Sequence, residues 1–529
     1  MSEIQVDMFE VQLGAALLLQ FKTGKGRVVR VLADAGVTAS GYRPDHVRNK
    51  LQGAFTAFNG GPPRLDLIIG THYDADHLDG LVPIIEDRGI DIGEAWMPPV
   101  ANDTQIHAEE ESIEEHHLLG HQFSGEGGEG VLASYLNAKA DICAHLRDLE
   151  VMANEYQPDT LRQPYERIRS AGERVREGKS EVEWFKEQIK EASYSLGQVR
   201  DTHADDDIEP SSSGGATEDS ALRPYFVAQS LVMFPLWLSD AQHKEYFKST
   251  WSGNPALAVP QARSMAYIRR SAAKDAINAA SLCKVVKALK MRGIPTSYQM
   301  IKDGQPRRFV WKEEGHRFVP GAQLTSDGPE LTLLGPSEGL VKKHWNKLPI
   351  GNYLARLALM AVPVKSITAS NQLSYVARLS AHEQGLLVCG DAGCVDFKPA
   401  RGNYYTPLLN ALGRLHIIQI AHHGGNNAHF YNVLLEAGYP KQTDSSLLLL
   451  SHATDDKSRP SKNFGLFIEQ ARKEGDDMKL LFTSQPTADK VKDYKRIIHT
   501  VVGAPNKVGD IRVQFDGGHW KVLNHAIKV

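Results

Sequence analysis

The chain has 529 residues, and because single domains rarely pass roughly 250–300 residues, two or three units are expected. Its 60 Lys and Arg against 64 Asp and Glu leave a formal charge of −4, which excludes a global basic field and leaves any grip on nucleic acid to a local patch. Cys143, Cys283, Cys389 and Cys394 are scattered with no C-x-x-C pair; this excludes a disulfide framework and a cysteine zinc knuckle and fits a reducing compartment.

The opening "MSEIQVDMFEVQLG" carries acidic residues where a signal peptide needs basic ones and an apolar run. No stretch reaches the roughly 18–20 apolar residues of a membrane span. A soluble cytoplasmic protein is expected.

In chain order, "IQVDMFEV" alternates, "AALLLQF" and "RVVRVLADAG" are apolar with β-branched content, and "RLDLIIG" is short and apolar. These predict strands over the first hundred residues. After Gly80 the run "LVPIIEDRG" predicts a helix, with Asp79 near its start as a cap.

From about residue 103 the texture changes. Ile168, Val175, Val182 and Ile189 recur every seven residues, and Ala171, Gly178, Phe185 and Ala192 follow three places later, an a/d seam. Leu132, Tyr135, Ile142, Leu146 and Leu149 form a comparable stripe, and with Pro158 and Pro164 between them the two predict an antiparallel helical hairpin. Residues 201–220 have almost no apolar side chain and predict a flexible loop. Residues 263–292 are the most basic part of the chain, on a predicted helix.

From about 329 strands return in "ELTLLGP", "LSYVARLS", "GLLVCGD", "LHIIQIAHHGG", "SSLLLLSHA", "KLLFTS" and a hairpin-like "DIRVQFDGGHWKVLNH". Strand-rich ends around a helical middle predict one α/β domain, residues 1–102 and 329–529, interrupted by a mainly helical insertion at 103–328.

The chemistry concentrates in "THYDADHLDG", directly behind "LDLIIG". His72, Asp74, Asp76 and His77 inside a strand would cost several kcal/mol unpaired; just past its end they meet no such cost, and loops at strand ends are where rigid scaffolds carry sites. Imidazole and carboxylate at alternate positions are metal-ligand types. The same device recurs twice: "LLVCGDAG" stops at Gly390 and exposes Asp391, and "LHIIQIAHHGG" ends in His422 and His423.

With these motifs the chain resembles the metallo-β-lactamase-fold superfamily, whose signature is H-x-H-x-D-H after a strand, and within it the branch typified by the soluble hydrolase domain of the competence protein ComEC, which reads H-x-D-x-D-H as "HYDADH" does. The segments "ELTLLGP", "SNQLSYVARL", "LLVCGD", "IAHHGG" and "SLLLLSHATDDKSRP" follow in that family's order. The likeness covers residues 4–102 and 329–524 and implies an αββα sandwich. It implies two adjacent divalent metal ions, zinc or manganese. His72 and Asp74 would hold one; Asp76, His77 and His422, preferred to His423 because it follows the strand directly, would hold the other; Asp391 would bridge them. Gly425 stands where the branch has serine, and Arg459 before Pro460 where it has histidine, so that Arg459 can grip a phosphate with its fork.

The implied reaction is hydrolysis by metal-activated hydroxide. Asp391 would orient the nucleophile, and Ser451, His452 or Arg459 would hold or protonate the leaving group. Nucleic acid is the first substrate expected, with Arg269, Arg270 and Lys274 lining a strand path; a solvated helix face accounts for the same charges. A small nucleotide, phospholipid or ester is the second, expected if the insertion roofs a deep pocket. The third reading takes the insertion as a docking module for a protein partner or a second copy, in the effector subunit of a bacterial defence assembly.

Overall fold

The computed structural model describes residues 3–36, 42–58, 60–102, 115–154, 180–197, 255–321, 328–345, 368–399, 401–441, 443, 445–475, 477–500 and 509–523. Its strands, in chain order, are β1 (Ile4–Met8), β2 (Leu17–Lys22), β3 (Val28–Ala33), β4 (Arg64–Ile69), β5 (Asp91–Trp96), β6 (Thr296–Ser297), β7 (Arg307–Lys312), β8 (Arg317–Pro320), β9 (Glu330–Gly335), β10 (Val376–Ala381), β11 (Gln384–Val388), β12 (Ile417–Gln419), β13 (Ser446–Leu450), β14 (Met478–Phe482), β15 (Ile511–Phe515) and β16 (Trp520–Val522).

They form two eight-stranded mixed sheets, ordered β16-β15-β1-β2-β3-β4-β5-β6 and β14-β13-β12-β11-β10-β9-β7-β8. In the first, pairing is antiparallel as far as β3 and parallel from β3 to β6. In the second, β11 to β14 are parallel and the rest antiparallel.

Side chains alternate across a strand, so each apolar run feeds two faces. Ile4, Val6, Met8, Leu17, Leu19, Val31, Leu67 and Ile69 join Leu331, Leu333, Ala377, Leu379, Leu387 and Ile418 in one apolar cluster between the sheets. Leu18, Leu32, Leu65 and Ile68 take the opposite face and pack with Val47, Leu51 and Phe55 of the helix His46–Ala57 and Leu81, Ile84 and Ile85 of the helix Leu81–Glu86. Each such fully buried side chain contributes about 1.5–3 kcal/mol. The helix Leu81–Glu86 has Gly80 at its N-cap and no side-chain cap, so Asp79 does not play the capping part expected of it.

A helix of 37 residues, Pro255–Met291, ties the middle of the chain to the sheets. Its later turns bury Leu282, Val285, Val286 and Leu289 beside Leu81 and Ile84. Its earlier turns bury Ile268, Ala272 and Ala276 with Leu136 and Leu146 of the helix Gly128–Asn154 and Phe185 of the helix Glu181–Gly197. Those two helices therefore meet mainly on the long helix and not on each other. Most of the predicted seam and turn, residues 155–179, and the predicted loop 201–220 lie outside the described residues. The stretch 103–328 also carries β6, an edge strand of the first sheet, and the hairpin β7–β8, which closes one edge of the second. Among the described residues no helix is long and apolar enough to cross a membrane.

Candidate metal centre

β4 ends at Ile69, and His72 to His77 follow before the first sheet resumes. A glycine cradle holds that loop. A Cβ on Gly36 would lie 1.4 Å from the Asp76 carbonyl oxygen, and one on Gly390, whose φ is +49°, would lie 2.2 Å from Thr71 Oγ1. Side chains at either position would push the loop off the sheet ends.

The three strand ends meet. His77 Nε2 and His423 Nε2 each lie 3.5 Å from Asp391 Oδ1, while His72 Nε2 lies 3.9 Å from Asp391 Oδ2 and 3.9 Å from Asp74 Oδ2. Asp391 thus turns one oxygen to each side. His72 Nε2, His77 Nε2, His423 Nε2 and Asp391 Oδ1 are all buried without a hydrogen-bond partner. Buried polar atoms left so cost roughly 1–3 kcal/mol each, and here they converge on one spot.

Asp76, His77 and His423 present donor atoms within 4.8 Å of one another, a group that can hold a metal ion. Asp34, His72 and His77 do so too, but there the nearest atoms are already engaged. Asp34 Oδ1 accepts from Thr71 N at 2.7 Å, Asp34 Oδ2 accepts from Thr71 Oγ1 at 2.6 Å and lies 2.8 Å from His77 Nδ1, and Thr71 Oγ1 lies 3.1 Å from His72 Nδ1. Asp34 therefore orients His77 so that Nε2 faces Asp391, the usual part of a carboxylate behind a ligating histidine.

Electrostatics follow from burial among like and unlike charges. Burial lowers the pKa of His72 and of His423, with His77 adding repulsion. Burial pulls His77 down as well, but Asp391 and Asp34 on either side carry it up to about 10. Burial raises Asp391 to about 7, and burial with Asp76 beside it raises Asp74 to about 7. A cation bound among these carboxylates and imidazoles would take the place of the protons.

A cavity of about 240 Å³ opens on this cluster. Asp74, Asp76, Asp391, His422, His423 and Arg459 form one part of its lining, and Ile189, Lys274, Ile277 and Asn278, from two helices of the middle section, form another. The cations flank the centre: Lys274 acts electrostatically on Asp74, and Arg459 on Asp391 and His423.

Of the two adjacent histidines, His423 places Nε2 3.5 Å from Asp391 Oδ1, and both His422 and His423 line the cavity. Both take left-handed backbone, φ +53° and +54°, so the chain turns sharply after β12.

The remaining sequence-derived residues sit further out. Ser451 Oγ donates to the Gln12 and Gly14 carbonyls at 3.1 and 2.6 Å, tying down the loop after β1. His452 is fully buried with Nε2 3.0 Å from the Arg459 carbonyl, so it supports the backbone that carries Arg459. Arg269 is 2% exposed and donates to Gln188 Oε1 at 3.0 Å and Glu191 Oε2 at 3.2 Å, inside the helix packing. Arg270 is half-buried one position on and does not line the cavity.

Sequence reasoning misses Asp34, Asn278 in the cavity wall, and Asn371, which also lines the cavity and donates from Nδ2 to Asp391 Oδ2 at 3.5 Å. For Asp34 a signal existed: "DAG" closes the β3 run just as "DAG" at 391–393 follows β11. Comparison with protein-family models and with curated proteins finds no match to this chain.

Proposed function

We propose that this chain is a metal-dependent hydrolase of phosphodiesters, built as a metallo-β-lactamase-type four-layer sandwich around a two-metal centre. The observation that carries the reading is the division of Asp391, one oxygen towards His77 and His423 and the other towards His72. His72, Asp74 and Asp391 would hold one zinc or manganese ion, and Asp76, His77, His423 and Asp391 the other. Bound there, such ions supply Lewis acidity and lower the pKa of water towards neutrality.

The protein's own groups account for binding and charge. Arg459 and Lys274 line the cavity on either flank, so both can hold non-bridging phosphate oxygens as charge grows on them. Leu13, Ile189 and Ile277 add apolar wall that excludes water from the reacting group.

The lining by Ile189, Lys274, Ile277 and Asn278 favours a small nucleotide or the end of a single strand over the interior of a duplex, and Arg269, turned into the helices, is withdrawn from the strand path. The test is metal analysis of purified protein followed by assays on bis-p-nitrophenyl phosphate, single-stranded DNA, duplex DNA and RNA. Cleavage of the small diester, lost by more than about a thousandfold in Asp391→Ala and Asp76→Ala, is expected. Undiminished cleavage in both variants ends the reading.

A further inference from the structure

The long helix Pro255–Met291 does more than roof the cavity. Asn278, 6% exposed, donates from Nδ2 to Asp74 Oδ1 at 2.7 Å and accepts the Ala75 N–H on its own Oδ1 at 3.0 Å. One turn earlier, Asp275 Oδ1 accepts the Tyr73 hydroxyl at 2.7 Å, and Lys139, 1% exposed on the helix Gly128–Asn154, reaches Asp275 Oδ2 at 3.4 Å. From the other side Ser370 Oγ donates to the same Asp74 Oδ1. One Asp74 oxygen is thus held from two elements remote in sequence, and the other is left facing His72 Nε2.

We infer that Asn278 is a positioning residue for the metal centre: the middle section of the chain fixes the rotamer of Asp74 and the backbone of the ligand loop, so the centre is incomplete without it. This rests on the proposed metal reading. A carboxylate has several low-energy orientations about its terminal bond. Two donors on Oδ1 select the one in which Oδ2 is free to ligate, as partners behind a ligand commonly do. The side-chain amide suits the task because it offers a donor to the carboxylate and an acceptor to the Ala75 N–H at once.

The test is metal affinity of the full chain, read by competition with a chromophoric chelator and by metal content at fixed free zinc. Asn278→Ala keeps a good helix former in place. It is expected to weaken one metal equivalent by about 10–100-fold and leave the other unchanged. Ser370→Ala is expected to weaken the same equivalent, and the double variant to depart from additivity because both donors act on one oxygen. A role in packing alone would lower the melting temperature of the metal-free protein without singling out one equivalent. Wild type that binds two equivalents, with Asn278→Ala and Ser370→Ala binding both as tightly, overturns the inference and leaves the metal reading standing. Wild type that takes up no metal overturns the reading itself.

Discussion

Asp34 Oδ2 lies 2.8 Å from His77 Nδ1, and both side chains are wholly shielded from solvent. The contact joins the end of β3 to the loop after β4 and leaves His77 with a single ring nitrogen facing Asp391. Asp34→Asn keeps the shape and removes the charge that fixes the ring. Metal binding is expected to weaken by about 10–100-fold, measured as metal content after dialysis against buffered free zinc. Equal occupancy across the titration would show that Asp34 does not act through His77.

Gly36 and Gly53 separate close approach from mere glycine content. A Cβ at Gly36 would meet the Asp76 carbonyl oxygen at 1.4 Å and the His77 Cα at 2.4 Å, both backbone neighbours, whereas a Cβ at Gly53 meets nothing within 4 Å. Gly36→Ala is expected to cost more than about 3 kcal/mol, the range of severe overpacking. Gly53→Ala, within the helix His46–Ala57, is expected to stabilise by about 0.5–1 kcal/mol. Urea unfolding of the two variants decides it, and a tolerated Gly36→Ala with intact metal binding would contradict the cradle.

Much of this was legible in the residues because it is local. One alternating run and a series of short apolar runs mark β1 to β4 and β9 to β14, and the ligand-type clusters past β4, β11 and β12 meet around Asp391. What escaped is relational. Asn278 on a helix reads as any polar residue, and its partner Asp74 is 204 positions away. Arg269 reads as a cation for a substrate, yet its guanidinium is spent on Gln188 and Glu191. The left-handed turn at His422 and His423 also escaped, since it goes with contacts such as His422 N to the Gly390 carbonyl at 3.3 Å, between chain segments no local pattern connects.

Asp396 offers a pH handle outside the His and Asp cluster. Burial raises its carboxyl to about 6, against hydrogen bonds from the Ser337 hydroxyl at 2.5 Å and N–H at 3.2 Å. With the folded value above the unfolded 3.8, the folded state holds more protons between the two. Stability on this account falls as pH rises from about 4 to about 6 and is level beyond, by about 3 kcal/mol in all. Asp396→Asn removes that dependence, so the variant's stability relative to wild type should improve between pH 4.5 and 7.5. Chemical unfolding at both values checks it, and a constant difference rules out the burial effect.

The basic residues of the long helix should separate by function. Arg269→Ala leaves Gln188 Oε1, on a side chain 1% exposed, without its donor. It is expected to lower stability by about 1–3 kcal/mol and leave the Michaelis constant for a small diester unchanged. Lys274, in the cavity wall beside Asp74, makes the opposite case: Lys274→Ala should raise that constant by about tenfold, equivalent to about 1.4 kcal/mol of lost anion binding, with little change in melting temperature. A strand path along this helix requires Arg269→Ala to lose single-stranded DNA affinity at full stability, and that result would reinstate the open-groove account over the roofed pocket.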